Sequence, residues 1–208
     1  MTADIEVGAV GWEHADWQST FYPDDLPGEW QLSYYANEFS VVQIPAARWL
    51  SADDDALIQW HDDVHEAFRF IIDITGALET ADAQARLQEC LNVLGDRVAG
   101  MVSWVPLSKA RAEHIESLIG PGLLMQPEPL SPLPEATVLM ASNLHCRCLL
   151  MASDEAKKLM VLRQVMEQGL LGSVPGSPVY LIISGAPPEI KVMKDAEVLQ
   201  QLLKGVAG

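Results

Sequence analysis

A histidine between two carboxylates, Glu13, His14 and Asp16, stands directly after an apolar run that closes on Gly11 and Trp12. Imidazole titrates near neutrality and a neighbouring carboxylate raises its pKa, so the three form a candidate acid/base cluster for a hydrolase-like or lyase-like reaction. Four rings in the same stretch, Trp12, Trp17, Phe21 and Tyr22, have two readings. They line a ligand mouth, where aromatic faces offer large rigid contact area, or they plug the fold against the helix that follows. Elsewhere HCRC (145–148) sets a histidine beside two thiols, but strand alternation sends Cys146 and Cys148 to one face and His145 to the other, which disfavours a shared metal. His61 and His65 have the i, i+4 spacing of helical metal ligands. A zinc protease needs Glu directly after the first His; here the residue is Asp62, so a solvated helix face is expected. The glycine-rich phosphate loops and the nucleophile elbow GxSxG are absent from the sequence. No metal and no cofactor are expected.

Composition narrows the setting. The chain has 208 residues, 49% of them hydrophobic and 20% charged, enough for one domain over 1–208 with a full core and no disulfide staples. Its formal net charge is -16, and nineteen of the 29 acids but four of the 13 bases fall in the first hundred residues. Such a surface repels phosphate backbones, so a nucleic-acid partner is disfavoured. Three cysteines, Cys90, Cys146 and Cys148, suit reduced thiols in a cytoplasmic protein. The opening MTADIEVGAV has no basic segment before an apolar one, and no apolar run approaches the roughly 20 residues of a membrane helix, so neither export nor a membrane is expected.

Short β-rich runs alternate with amphipathic stretches along the chain, the pattern of repeated βα units around a parallel sheet. Strands are expected at 5–10, 40–45, 68–74, 98–106, 123–129, 135–142, 146–153 and 178–184. Helices are expected at 29–39, 51–64 with Ser51 as N-cap, 80–95 stopped by Gly95, 108–120, 154–169 and 194–205. Only LSPLP separates the fifth strand from the sixth, too little for the crossover helix that a parallel neighbour needs. The expected fold is therefore α/β, a compact, imperfect TIM-like (β/α)₈ barrel lacking the helix between strands five and six, and shorter than the usual length of about 250 residues. An open doubly wound sheet is the alternative. An uncovered flank would leave Leu123, Leu130 and Leu133 to pair with a second copy, giving a homodimer.

The stretch GWEHADWQSTFYP, followed by an aromatic helix and SVVQIP, resembles the N-terminal signature of the domain-of-unknown-function 72 (YecE-like) family. The matching residues are Gly11, Trp12, Trp17, Phe21, Tyr22 and Pro23, then Leu32, Tyr34, Tyr35, Ala36 and Phe39. The closing KDAEVLQQLL is similar to the family's ending. The resemblance implies a TIM-like barrel and no established reaction. It also exposes departures: Gln43 stands where the family's second strand carries Glu, Pro45 where it has Asn, Asp73 where its third strand carries Lys, and Trp104 where its fourth carries Gln. On the fifth strand Met125 and Pro127 replace a Glu-x-Arg pattern. Barrel enzymes keep their chemistry at the C-terminal strand ends, so these losses favour an uncharacterised, non-catalytic or weakly ligand-binding member. Trp12, Trp17, Tyr22, Gln43, Asp73 and Trp104 are its candidate small-molecule contacts. An enzyme using His14, Glu13 and Asp16 at the top of strand one, and a self-associating interaction module, are the alternatives.

Overall fold

Successive residues of a strand face opposite ways, and in β1 (Ile5–Val10) both faces find apolar company. Ile5, Val7 and Ala9 join the core beneath the helices, while Val10 packs inward on a second cluster that includes Val41, Ile71, Val102 and Ile182. Two concentric apolar layers of this kind require a closed barrel, and the computed structural model, which describes residues 4–131, 133, 136–174 and 176–206, contains one of eight strands in the order β1 to β8. The strands are β1, β2 (Val41–Ile44), β3 (Arg69–Asp73), β4 (Val98–Val102), β5 (Leu124–Glu128), β6 (Val138–Ser142), β7 (Arg147–Ala152) and β8 (Val179–Ser184). β8 pairs in parallel with β1 to close the ring. Residues 1–3, and Pro132, Pro134 and Glu135 at the expected linker and sixth strand, lie outside the described residues.

The short linker before β6 has a simple cause. β6 runs antiparallel both to β5, with Gln126 opposite Ser142, and to β7, with Ala141 opposite Cys148. An antiparallel neighbour needs no crossover helix. Among the described residues the β6–β7 connection has no helix either, because β6 and β7 are joined by a tight turn in which the Asn143 side chain accepts from the amides of His145 and Cys146 at 2.8 and 2.9 Å. Leu123, Leu130 and Leu133 are half-buried against the core instead of lying bare on an open flank.

Helices cover the remaining connections: α1 (Gln31–Glu38), α2 (Ala46–Ser51), α3 (Asp54–Asp62), α4 (Ala81–Leu94), α5 (Lys109–Ile119), α6 (Ser153–Ala156), α7 (Leu159–Leu170) and α8 (Ile190–Val206). The expected helix at 51–64 is in fact two. Ser51 ends α2, and Asp53 caps α3 by accepting from the Ala56 amide at 2.8 Å, satisfying one of the first turn's orphan donors. Thr80 and Ser108 cap α4 and α5 in the same way. At Gly8 the β1–β2 approach leaves no space for a side chain, since a Cβ would fall 2.0 Å from the Val41 carbonyl oxygen.

Candidate functional site

Parity along the strands decides which polar groups reach the barrel's interior. Val41 and Ile71 both belong to the inner cluster, so Gln43 and Asp73, two residues further on, face the same way at the C-terminal end. Val102, the Cα partner of Asp73, is also internal, and Trp104 stands one pleat above it, packed on that cluster. Three residues singled out at separate strand ends therefore meet at one mouth. The Asp73 carboxylate accepts from the Thr75 amide at 2.8 Å and from Gln43 Nε2 at 3.4 Å, and Thr75 Oγ1 accepts from the Trp104 amide at 2.9 Å. From outside the barrel, Trp49 Nε1 donates to the Asp73 carbonyl at 2.8 Å.

This mouth is not internally satisfied. Gln43 is 2% exposed and its Oε1 has no hydrogen-bond partner, while the buried Trp104 Nε1 also lacks one. Leaving a buried donor or acceptor unpaired costs about 1–3 kcal/mol.

The cluster above strand one is arranged otherwise. Both Glu13 oxygens are taken by Arg48, at 2.6 and 2.9 Å, and the Arg48 guanidinium lies 4.7 Å from the centroid of the Trp60 ring. His14 Nε2 donates to the Val10 carbonyl at 2.9 Å, and its ring packs on Trp17 with centroids 4.4 Å apart. Burial lowers the His14 pKa, against weaker upward pulls from its bond to Val10 and from Asp16 and Glu13. Among the described residues no hydrogen bond joins His14 to either carboxylate.

The family-pattern rings are core. Trp12, Trp17 and Tyr22 are all buried; Trp12 meets Trp60 edge to face, Trp17 stacks on Tyr35, and Tyr22 meets Tyr34 edge to face. Tyr22 donates to the Trp12 carbonyl at 2.6 Å, and Trp17 Nε1 to the Pro188 carbonyl at 2.8 Å, which ties the first βα unit to the loop after β8. Trp17 still reaches one edge of a shallow cleft formed with Thr20 and Pro187 to Lys191.

Cys146 and Cys148 both enter the inner cluster, whereas His145 is exposed in the turn before β7. Burial pushes the Cys146 thiol up to about 11 and Cys148 well above its ordinary value. α3 stops at Asp62, so His65 is not on a helix face with His61; its Nε2 donates to the Ala36 carbonyl at 3.1 Å. Sequence reasoning missed a polar pocket of about 80 Å³ at the opposite end of the barrel, lined by Glu128, Ser142, Cys146 and Arg147, because it arises from the reversed direction of β6. Among the described residues no helix is long and apolar enough to cross a membrane.

Comparison with known proteins agrees with this architecture. The family model described as protein of unknown function DUF72 matches residues 6–118, more than half of the chain. A DUF72 family protein from Thermotoga maritima MSB8 superposes with a TM-score of 0.65 at 12% identity, covering 97% of this chain and 99% of that one. A DUF72 family protein from Enterococcus faecalis V583 gives 0.58 at 11% identity, covering 97% and 98%. No curated protein matches the chain. With a matching family model across strands one to four and a shared barrel throughout, this chain belongs to the DUF72 family of proteins of unknown function.

Proposed function

We propose that this barrel binds a small polar molecule at its C-terminal mouth, between Gln43, Asp73 and Trp104, and does not transform it. The observation that carries this reading is the pair of buried, unpartnered atoms, Gln43 Oε1 and Trp104 Nε1, beside the Asp73 carboxylate. Catalysis by His14, Glu13 and Asp16 has less support. Glu13 is held by Arg48, and His14 Nε2 is engaged by the Val10 carbonyl. The three buried free thiols support a reducing, cytoplasmic setting.

A thermal-shift screen of polar metabolites against the wild type and Gln43→Leu tests the reading, because a ligand that prefers the folded state raises its melting temperature. Hits that stabilise the wild type and not the variant are expected. A library without hits, or hits consumed on incubation, would overturn it.

Self-association through α7 is a second reading. Leu159 and Met160 are 51% and 78% exposed beside a groove of about 630 Å³ that also includes Leu133 and Val161. A second copy would fill the groove, and sedimentation of the wild type and Met160→Glu tests it: a dimer lost in the variant supports it, and a monomer at all micromolar concentrations defeats it.

A further inference from the structure

We infer that the ligand of the mouth is a small organic cation with N–H donors, a primary amine or guanidinium compound, seated on Asp73 and Gln43 beside Trp104. This rests on the binding reading above. Its starting point is the state of the Asp73 carboxylate. Both of its side-chain partners, the Thr75 amide and the Gln43 amide, are neutral, and the second lies at 3.4 Å, the long edge of a hydrogen bond. Among the described residues no Lys, Arg or His comes within 4.0 Å of it. A half-buried carboxylate without a counter-charge favours a cation over any other guest.

Gln43 adds the second acceptor. Its Nε2 points to Asp73 and its Oε1 is the orphan; turning the amide over would set oxygen against carboxylate oxygen, so the orientation is fixed by charge. Two acceptors on adjacent strands, one of them charged, call for a group with at least two N–H donors, which an ammonium or a guanidinium supplies and a hydroxyl does not. Beside them, the free Trp104 Nε1 donor fits a hydroxyl or carbonyl oxygen next to the cationic group. The field of the molecule acts in the same sense. The first hundred residues, which supply β1 to β3 and three of the five residues of β4, carry nineteen acids and four bases, so cations are drawn toward this half of the barrel and anions turned away.

The test uses ethanolamine and agmatine as probes, with ethylene glycol and glycolate as neutral and anionic controls, read by calorimetry and by melting temperature. Saturable binding of an amine is expected, with affinity reduced roughly tenfold or more in Asp73→Asn, which removes a charge-assisted bond, and also reduced in Gln43→Leu. Asp96→Asn, an exposed acid away from the mouth, should leave it unchanged. Should Asp73→Asn fail to fold, Gln43→Leu and the quenching of Trp104 fluorescence, absent in Trp104→Phe, keep the test decisive. No saturable binding by either amine up to about 10 mM, the weak end of measurable affinity, overturns the cationic class. If a neutral or anionic metabolite then binds and is lost in Gln43→Leu, the mouth remains a binding site of different chemistry; if nothing binds at all, both readings fall.

Discussion

The side-chain amide of Gln43 on β2 donates to the carboxylate of Asp73 on β3 at 3.4 Å, inside the C-terminal mouth of the barrel. The contact joins two positions at which the chain departs in charge from the family pattern that its N-terminal stretch resembles. It is too long to contribute much, and it leaves Gln43 Oε1 buried without a donor.

That imbalance fixes the sign of a stability change. Gln43→Leu removes an unsatisfied acceptor from an apolar wall and sacrifices only a weak bond to a half-exposed carboxylate that water can reach. Urea denaturation is expected to show stability unchanged or raised by about 1 kcal/mol. A loss above about 2 kcal/mol would show that the amide is already well satisfied and would remove the main support for a polar binding site.

Trp17 behaves oppositely. It is 2% exposed, stacks on Tyr35 with centroids 6.1 Å apart, and donates to the Pro188 carbonyl at 2.8 Å. Trp17→Ala is expected to cost roughly 3–5 kcal/mol in chemical denaturation, the range for truncating a buried ring. If the protein tolerates the change with little loss, the ring belongs to an open mouth instead.

Tyr35 supports the barrel through one oxygen. Its hydroxyl accepts from the Ala9 amide at 2.8 Å and donates to the Val41 carbonyl at 3.0 Å, so a helical side chain bridges β1 and the start of β2. Tyr35→Phe keeps the packing and strands a buried amide, for an expected loss of about 1–3 kcal/mol. Hydrogen exchange at Ala9 should rise with it, and an unchanged Ala9 rate would contradict the role given to the hydroxyl.

Much of this was legible in the sequence because periodicity reports burial. All eight strands lie within or close to their expected bounds, and Thr80, Ser108 and Gly95 sit where a helix must start or stop. The direction of β6 was written only in spacing: LSPLP and the still shorter SNLH turn are both inadequate crossovers, yet a single short linker reads as a missing helix when it marks one side of a reversed strand. The α2–α3 break at Ala52 and Asp53 was hidden because Ser51 is as good a cap by type as Asp53, and only the chain's turn after α2 selects between them. At the mouth, Gln43, Asp73 and Trp104 were singled out as departures from the family pattern. Their convergence, and the lack of partners for two of their atoms, depend on strand parity and register across three strands, which no single segment displays.

His14 predicts a pH dependence whose sign follows from its burial. Desolvation is the largest influence on the ring and holds its folded-state pKa below 6.5, although the bond to Val10 and the nearby Asp16 and Glu13 oppose it. Above the unfolded-state value both states carry a neutral imidazole, and the full contribution of the ring is present. As the pH falls through about 6.5 the unfolded chain takes up a proton that the folded chain refuses, so stability declines, and the decline stops once the pH has passed the lowered folded-state pKa. Urea midpoints measured at about pH 7.5 and about pH 5 should therefore drop further for the wild type than for His14→Gln, which keeps a donor for the Val10 carbonyl but cannot titrate in this range. An identical drop in the two proteins would mean that His14 is solvated in the folded state. In that case the ring would be free to exchange protons with a ligand, and the acid/base reading of Glu13, His14 and Asp16 would regain its footing.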